Sequence, residues 1–288
     1  MRPTALLARL RSSPLAICPR RGSVSLRALG EWDWEPGGEV PLPEEPGPGV
    51  IPVHGVLVHR GLGFGPELDA WCGLVEYGAL VEAVRSAAAD PQVSTVVLDF
   101  DSPGGEIAGM LDAADAIRAA TSSKPIVAVA NECACSAAYV LAAATGRIVA
   151  TRTAFLGSVG VVTHHEDLSG ALAQEGVRVS WIYAGEKKID GNSAEPLSPR
   201  ARADLQREVD DAYALMVEAV ARFRGMKPTA IKATEAGVFT GQDAVTAGLA
   251  DSIGTLEGVL VAAKAMPTTN AQRSRFGSRA QFNHRRSA

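Results

Sequence analysis

Short apolar runs rich in β-branched residues alternate with segments of helical spacing through most of the chain. This alternation predicts strands and helices in turn. The predicted strands cover residues 50–59, 93–101, 125–131, 147–152, 158–163 and 177–184. The predicted helices cover residues 74–89, 106–120, 131–145, 167–176 and 198–224, with shorter ones at 228–235, 241–248 and 255–265. Strands that alternate with helices are typical of βαβ units. We therefore expect an α/β fold with a mostly parallel, buried sheet and additional C-terminal helices.

The two ends of the chain differ in composition from the region between them. Residues 1–30 contain six arginines and no acidic residue, and residues 31–49 are acidic and rich in proline and glycine. These features predict a disordered leader and linker over 1–49, although an arginine-rich start also fits an organellar transit peptide. Residues 267–288 contain five arginines and no acidic residue, which predicts a disordered tail. The folded domain is accordingly predicted to span residues 50–266.

The overall composition excludes several classes of protein. Hydrophobic residues make up 47% of the chain, charged residues 21%, and the net charge is −4, as in ordinary globular proteins. No basic excess indicates nucleic-acid binding, and no apolar run reaches the ~20 residues of a membrane span. The four cysteines are too few for a disulfide framework, and Cys133 and Cys135 lack a second pair to complete a zinc site. Reduced thiols in the cytoplasm are therefore expected.

The stretch NECACSAAYVLAAAT, from Asn131 to Thr145, places one hydroxyl, that of Ser136, where a predicted strand gives way to an alanine-rich helix. A serine in this position is most simply a helix N-cap. It is also a candidate nucleophile, because the unpaired amides of the first helical turn could bind an oxyanion and small neighbours would admit a substrate backbone. The local pattern leaves both interpretations open.

The stretch DSPGG, residues 101–105, follows a predicted strand and ends in two glycines. It predicts a turn at the carboxyl edge of the sheet, which is where ligands bind in such folds. The amides of Gly104 and Gly105, together with that of Ala137, are candidates for an oxyanion hole.

Two kinds of general base are available in the sequence. His164 and His165 follow a predicted strand, although a solvated strand end explains them equally well. Lys187 and Lys188 follow the strand predicted at 177–184, and a desolvated lysine can serve as the base in a Ser-Lys dyad. Adjacent surface lysines are usually just solvated charge, so the residues alone leave the base undecided.

Five motifs, taken together and in order, resemble the signal peptide peptidase A family of serine proteases. The likeness is strongest to its phage branch, the capsid assembly (prohead) proteases, and it extends from about residue 50 to about residue 262. The motifs are FDSPGG, NECACSAAYVLAAA, TAFLGSVGVV, YAGEKKIDGN and FTGQDAVTAGLADSIG.

The resemblance implies a Clp/crotonase-type fold and a Ser-Lys dyad. It matches Ser136 to the nucleophile, Lys188 rather than Lys187 to the general base, and Ser158 to the hydroxyl that orients the lysine. The oxyanion positions that it implies are Gly104, Gly105 and Ala137. It also implies homo-oligomeric rings in which neighbouring subunits can share the dyad, and it implies neither a cofactor nor a metal.

The expected function is therefore a serine endopeptidase that cleaves scaffold, portal or capsid proteins during phage head maturation. We expect no dependence on nucleic acid, and a location in the host cytoplasm or the prohead interior. Three alternatives remain at this point: a bacterial signal-peptide-degrading peptidase, a crotonase-type acyl-CoA enzyme, and an inactive structural capsid component.

Overall fold

A computed structural model of the protein describes residues 15–17, 47–61 and 73–265, with the backbone alone described at 15–17. The strands are β1 Leu15–Ile17, β2 Gly47–Val58, β3 Leu74–Glu76, β4 Val93–Glu106, β5 Ile126–Cys135, β6 Ile148–Ala150, β7 Phe155–Gly157, β8 Val238–Thr240 and β9 Ser252–Ile253. The helices are α1 Tyr77–Ala89, α2 Met110–Ala120, α3 Ala137–Ala144, α4 Ser169–Gln174, α5 Pro199–Arg224, α6 Pro228–Lys232, α7 Gly241–Thr246 and α8 Leu256–Lys264.

The strands form one mostly parallel sheet, and this confirms the predicted α/β class. Its order is β3-β2-β4-β5-β6-β9, and every pair of neighbours along this path is parallel. β7 continues beside the end of β5 in parallel, and β8 pairs antiparallel with β7. β1 pairs antiparallel with the end of β4.

The main core lies between one face of the sheet and the helices that cover it. Val96, Leu98 and Phe100 alternate along β4 on this face and are fully buried, as the period of two in a strand requires. Helix α3 lies in the middle of the core, and all eight of its residues are buried. The carboxyl half of α5 packs against α3 through residues such as Met216 and Val220.

The two strands that lead to the candidate residues are longer than predicted. The expected turn at 102–105 is wrong, because β4 stays extended to Glu106 with β2 still paired alongside it. The helix expected from residue 131 is also wrong at its start. After an irregularity in the register, β5 resumes pairing at Cys133 and continues to Cys135, where β7 supports it.

Two predicted strands do not form in the described chain. The strand expected at 158–163 is wrong because the extended segment is Phe155–Gly157, and Ser158 then adopts a positive φ of 51°. The strand expected at 177–184 is wrong because this apolar, β-branched segment has no neighbour to pair with among the described strands. It is irregular and exposed, since a strand is stable only when another strand satisfies its backbone.

The long helix was predicted correctly at both ends. The hydroxyl of Ser198 accepts a hydrogen bond from the Ala201 amide, Pro199 opens α5, and Gly225 ends it with a φ of 65°. Of the predicted termini, β1 lies within the leader, and the rest of 1–46 and all of 266–288 fall outside the described residues. The domain boundaries therefore stay a prediction.

Candidate active site

Ser136 stands at the junction of β5 and α3 with an unusual backbone conformation. Its φ is 56° and its ψ is −120°, a combination that L-residues rarely adopt and that a surrounding structure must enforce. The side chain is fully buried but makes no capping hydrogen bond to α3. Ser136 thus occupies the N-cap position without doing what an N-cap serine does, and the helix-cap interpretation is wrong for its hydroxyl.

The contacts of Ser136 come from the segment Gly157–Gly160. Its amide donates to the carbonyl oxygen of Gly157 over 2.7 Å, and its Oγ donates to the carbonyl oxygen of Gly160 over 3.3 Å. These backbone contacts hold both ends of the serine. Gly157 and Gly160 were not predicted as contact residues of Ser136. The sequence GSVG, which places two glycines three residues apart, was the feature that could have indicated a close backbone approach.

The glycine-rich end of β4 lies at the same height in the sheet as Ser136. Ser102 pairs with Ala134, so two residues further along each parallel strand the register brings Gly104 level with Ser136. Gly104 has a φ of 104°, and a Cβ on Gly105 would lie 1.8 Å from the carbonyl oxygen of Leu57 in β2. The close approach of β2 therefore excludes a side chain at Gly105.

Helix α3 begins immediately after the serine, and its first amides point back toward it. These amides have no partner within the helix, and the helix dipole makes this end positive. Ala137 is the first residue of α3 and is fully buried. The predicted oxyanion positions Gly104, Gly105 and Ala137 are therefore brought to one end of the sheet.

Ser158 lies between the two glycines that contact Ser136. It is 7% exposed, has a φ of 51°, and its amide donates to the carbonyl oxygen of Gly237 over 2.8 Å. β8 pairs with β7 directly beside it, Val238 standing opposite Gly157. The positive-φ non-glycine residues of the described chain are Ser136, Ser158, Glu235 and Ala236, so all of them belong to the serine or its support. We call Gly104, Gly105, Ser136, Ala137 and residues 157–160 the serine cradle.

A hydrogen-bonded set behind the cradle fixes α3 to the C-terminal segment. The hydroxyl of Tyr139 donates to the carbonyl oxygen of Leu249 over 2.9 Å, and burial raises the pKa of this phenol. Asp251 accepts from the Ile148 amide over 2.7 Å and pairs with Arg224. The motif FTGQDAVTAGLADSIG thus supports the cradle from behind.

The two candidate lysines lie in an exposed segment, residues 177–192, which we call the lysine arm. Lys187 forms an ion pair with Asp204 of α5 at 2.6 Å, and this hydrogen bond, followed by that of Arg207, lowers the pKa of the Asp204 carboxyl. Lys188 is exposed, and its amine has no hydrogen-bond or ion-pair partner among the described residues. Within one chain the described contacts do not join Lys188 to Ser136.

The arm is attached to its own chain mainly by charged groups. Arg200 donates to both carboxylate oxygens of Asp190, over 3.0 Å and 2.8 Å, and also to the carbonyl oxygen of Glu186. In contrast, Val177, Val179, Trp181, Ile182 and Tyr183 are all exposed, Ile182 completely. The arm therefore exposes five large apolar side chains, which is more than an ordinary loop carries.

The histidine alternative for the base is not supported. His165 Nε2 lies 2.8 Å from the carbonyl oxygen of Asn192, and His164 Nε2 lies 3.8 Å from a carboxylate oxygen of Glu166. The described contacts of His165 and His164 are thus with Asn192 and Glu166, and neither histidine contacts Ser136.

The described part of the chain offers no cluster of three or more metal-ligating side chains. Cys133 and Cys135 are buried, and neither forms a disulfide with a described residue. Among the described helices, none has the length and apolar character that crossing a bilayer requires.

Comparison with known proteins identifies the family. Residues 118–269, just over half of the chain, match peptidase family S49. The chain belongs to peptidase family S49. The matched residues include Ser136, Ser158 and Lys188, and the mostly parallel sheet with its helices is the Clp/crotonase-type fold expected for this family.

The relatives of this S49 chain include proteins from phages and a plant. It is 44% identical over 204 residues to the head-tail preconnector protein GP5 of Enterobacteria phage P21, covering 71% of this chain and 40% of that protein. It is 38% identical over 204 residues to the capsid assembly protease C of Escherichia phage lambda, covering 71% and 46%. It is 29% identical over 187 residues to the chloroplastic serine protease SPPA of Arabidopsis thaliana, covering 64% and 28%. The chain thus spans less than half the length of either phage relative, and the resemblance stated from the motifs is confirmed.

Proposed function

We propose that the protein is a serine endopeptidase in which Ser136 is the nucleophile and Lys188 the general base. The neutral amine of Lys188 takes the Ser136 proton as Oγ attacks the peptide carbonyl carbon. The amides of Gly105 and Ala137 bind the resulting oxyanion. Lys188 then gives the proton to the leaving amine, and water, activated by the same amine, hydrolyses the acyl-serine ester.

The observation that carries this proposal is the conformation of Ser136. The Ser136 hydroxyl is buried on a strained backbone, does not cap α3, and donates to the carbonyl oxygen of Gly160 over a long 3.3 Å. Backbone strain of this kind clusters at functional residues. The Gly105 amide is the donor that we propose from β4, since the Gly104 amide already donates to Ser102 Oγ over 3.2 Å.

Ser158 is proposed to position the lysine rather than to react. It is nearly buried and lies between the two glycines whose carbonyl oxygens hold Ser136. A hydroxyl at this point can accept a hydrogen bond from an incoming ammonium group and aim it at Ser136 Oγ.

We propose further that the Lys188 serving each Ser136 comes from a neighbouring copy of the chain. Lys188 is exposed and has no side-chain partner among the residues that the structure describes, whereas the adjacent Lys187 is held by Asp204. The exposed side chains of Trp181, Ile182 and Tyr183 precede it and supply the apolar surface that such an interface needs.

The proposed substrates are extended segments of phage head proteins, such as scaffold, portal or capsid chains. This rests on the name of the lambda relative, a capsid assembly protease, and on its 38% identity to the chain. The match to a peptidase family favours proteolysis over acyl-CoA chemistry.

Three matched variants test the dyad. Ser136→Ala and Lys188→Ala are each expected to lower the rate of casein or scaffold cleavage by about 10³-fold or more, because nucleophile and base act as one unit. Lys187→Ala, which changes the neighbouring lysine, should lower the rate less than about threefold. Unchanged proteolysis in either of the first two variants would overturn the assignment.

Co-expression of Ser136→Ala with Lys188→Ala chains tests whether subunits share the dyad. In a ring with head-to-tail contacts, random mixing leaves about one interface in four with both an intact serine and an intact lysine. About a quarter of the wild-type activity should return. A mixed assembly without activity, together with active wild type, would place both residues in one chain.

A further inference from the structure

The short strand β1, Leu15–Ile17, is paired with the residues proposed to bind the oxyanion. Its register is antiparallel, with Ile17 opposite Gly104, Ala16 opposite Gly105 and Leu15 opposite Glu106. The strand belongs to the basic leader, and 29 residues, from 18 to 46, separate it from β2 in the sequence.

The position of β1 in the sheet follows from the other pairings of β4. On one side, Gly104 and Gly105 pair with Val56 and Leu57 of β2. On the other side, β5 pairs with β4 only as far as Ser102. Since a strand has two edges, β1 must lie on the β5 side, in the space that opens where β5 ends and the chain turns at Ser136.

The register also fixes how far the leader reaches along this space. Gly104 is level with Ser136, because Ser102 is paired with Ala134 two residues earlier in each strand. Ile17 is opposite Gly104, so its backbone stands at the level of the serine. The leader runs from Glu106 toward Gly104 and thus reaches the serine with its carboxyl side.

We propose that the leader segment Leu15–Ile17 occupies the peptide-binding edge of β4 and competes there, within its own chain, with other extended peptides. This proposal extends the proposed function. It depends on that function only in identifying the displaced peptides as substrates. Strand addition of this kind uses main-chain hydrogen bonds, and Gly104 and Gly105 present no side chain that would select one sequence over another. The leader segment can therefore bind to this edge as any extended peptide would.

The tether determines how strong the competition is. A connection of 29 residues gives an effective concentration on the order of 1 mM, so a segment that binds with millimolar to submillimolar affinity occupies the edge for much of the time. The apparent affinity for an added peptide then falls by the fraction of chains whose edge is open. We expect a weakening of about threefold to tenfold.

The test measures peptide binding by full-length proteins that carry Ser136→Ala, which keeps the leader attached whether or not Ser136 is the nucleophile. The probe is a fluorescein-labelled peptide with the sequence of residues 12–20 in which serine replaces the cysteine. The test variant adds Ala16→Pro and Ile17→Pro. Since consecutive residues of an antiparallel strand alternate in bonding to the partner, two prolines remove at least one cross-strand donor. The matched control adds Ala28→Pro and Leu29→Pro, in the same leader but outside the paired residues.

Fluorescence anisotropy should show the probe binding about threefold to tenfold more tightly to the test variant than to either the parent or the control. Amide hydrogen exchange should also be faster in the test variant without probe at those residues of 104–106 whose amides face β1, since consecutive amides of a strand point to opposite edges. Equal affinity in all three proteins, or no binding of the probe to any of them at 1 mM, would overturn the proposal. The effect of Ser136→Ala on catalysis is measured in a separate experiment. The proposal for the dyad and the proposal for the leader can therefore be refuted independently.

Discussion

The serine cradle and the lysine arm are built in opposite ways, although the proposed chemistry needs both. In the cradle, Ser136 is fully buried, and the helix that follows it exposes none of its residues. In the arm, every residue from 177 to 188 is exposed, and no described strand pairs with it.

The forces that hold the two regions differ as well. Backbone hydrogen bonds from Ser136 to Gly157 and from Ser158 to Gly237 fix the cradle within one chain. Ion pairs to Asp190 and Asp204 fix the arm, and exposed ion pairs contribute little net stability in water. One chain therefore specifies the geometry of the proposed nucleophile, whereas weak, exposed ion pairs set the position of the proposed base.

One glycine from each region gives the largest expected difference. Gly157→Ala places a side chain at a φ of 99° with its Cβ 2.8 Å from the carbonyl oxygen of Gly237. We expect a loss of about 2–4 kcal/mol in the free energy of unfolding, and a fall in proteolytic rate of about 100-fold as Ser136 shifts. Urea unfolding and casein cleavage measure the two effects.

Gly170→Ala is the matched change beside the arm. A Cβ at Gly170, in helix α4, meets nothing within 4 Å, so the substitution should raise helix stability by up to about 1 kcal/mol and leave the rate unchanged. If Gly157→Ala and Gly170→Ala lowered the free energy of unfolding and the rate by similar amounts, the cradle would not be the more tightly specified region.

An apolar side chain of the arm gives the second effect. Ile182→Ser removes a fully exposed side chain, so the stability of the isolated chain should hardly change. If a second copy covers this surface, self-association measured by sedimentation velocity should weaken about tenfold. Val261→Ser on α8, where the side chain is 63% exposed, is the control and should leave association unchanged. Equal effects of both substitutions would remove the arm from the interface.

The smallest effect concerns the response of the arm to salt and acid. Raising sodium chloride from 50 mM to 1 M at pH 7 screens the ion pairs Arg200–Asp190 and Lys187–Asp204. Amide hydrogen exchange in residues 184–192 should then accelerate about twofold to fivefold. Amides of β5 and α3 should not respond. Constant protection of the arm in high salt would show that the ion pairs do not hold it.

Acid should act in the same direction as salt. The pKa of Asp204 is lowered by Lys187, and secondarily by Arg207, from its ordinary value of 3.8. Its stabilising contribution is therefore complete above about pH 3.8 and is lost as the pH falls through the lower folded value. Arg200→Gln, which removes the Asp190 pair, should loosen the arm at every pH.

Local signals in the sequence predicted the frame of this protein well. The boundaries of α5 followed from Ser198-Pro199 and Gly225, because caps and glycine stops act through neighbouring residues. The apolar runs that became β4 and β5 identified the centre of the parallel sheet, since strands buried on both faces need continuous apolar sequence.

Tertiary pairing explains what the sequence could not predict. NECAC was expected to begin a helix, but pairing of Cys133 and Cys135 with β7 keeps it extended. The alternation in 177–184 suits a strand, yet strand formation depends on a partner that the sequence of the segment does not contain. The backbone of Ser136 was equally hidden, because a positive φ at a serine is imposed by contacts with Gly157 and Gly160 that are distant in sequence.

The bare backbone at Gly104 and Gly105 determines what kind of discrimination this edge of the sheet can make. Two glycines without side chains cannot distinguish one extended sequence from another. They do reject a segment that is already folded, because its main-chain donors and acceptors are already hydrogen-bonded. In its proposed role this edge therefore selects peptides by their conformation rather than by their sequence. Whatever restricts its choice of protein must then lie elsewhere, in which unfolded segments are brought near it and when.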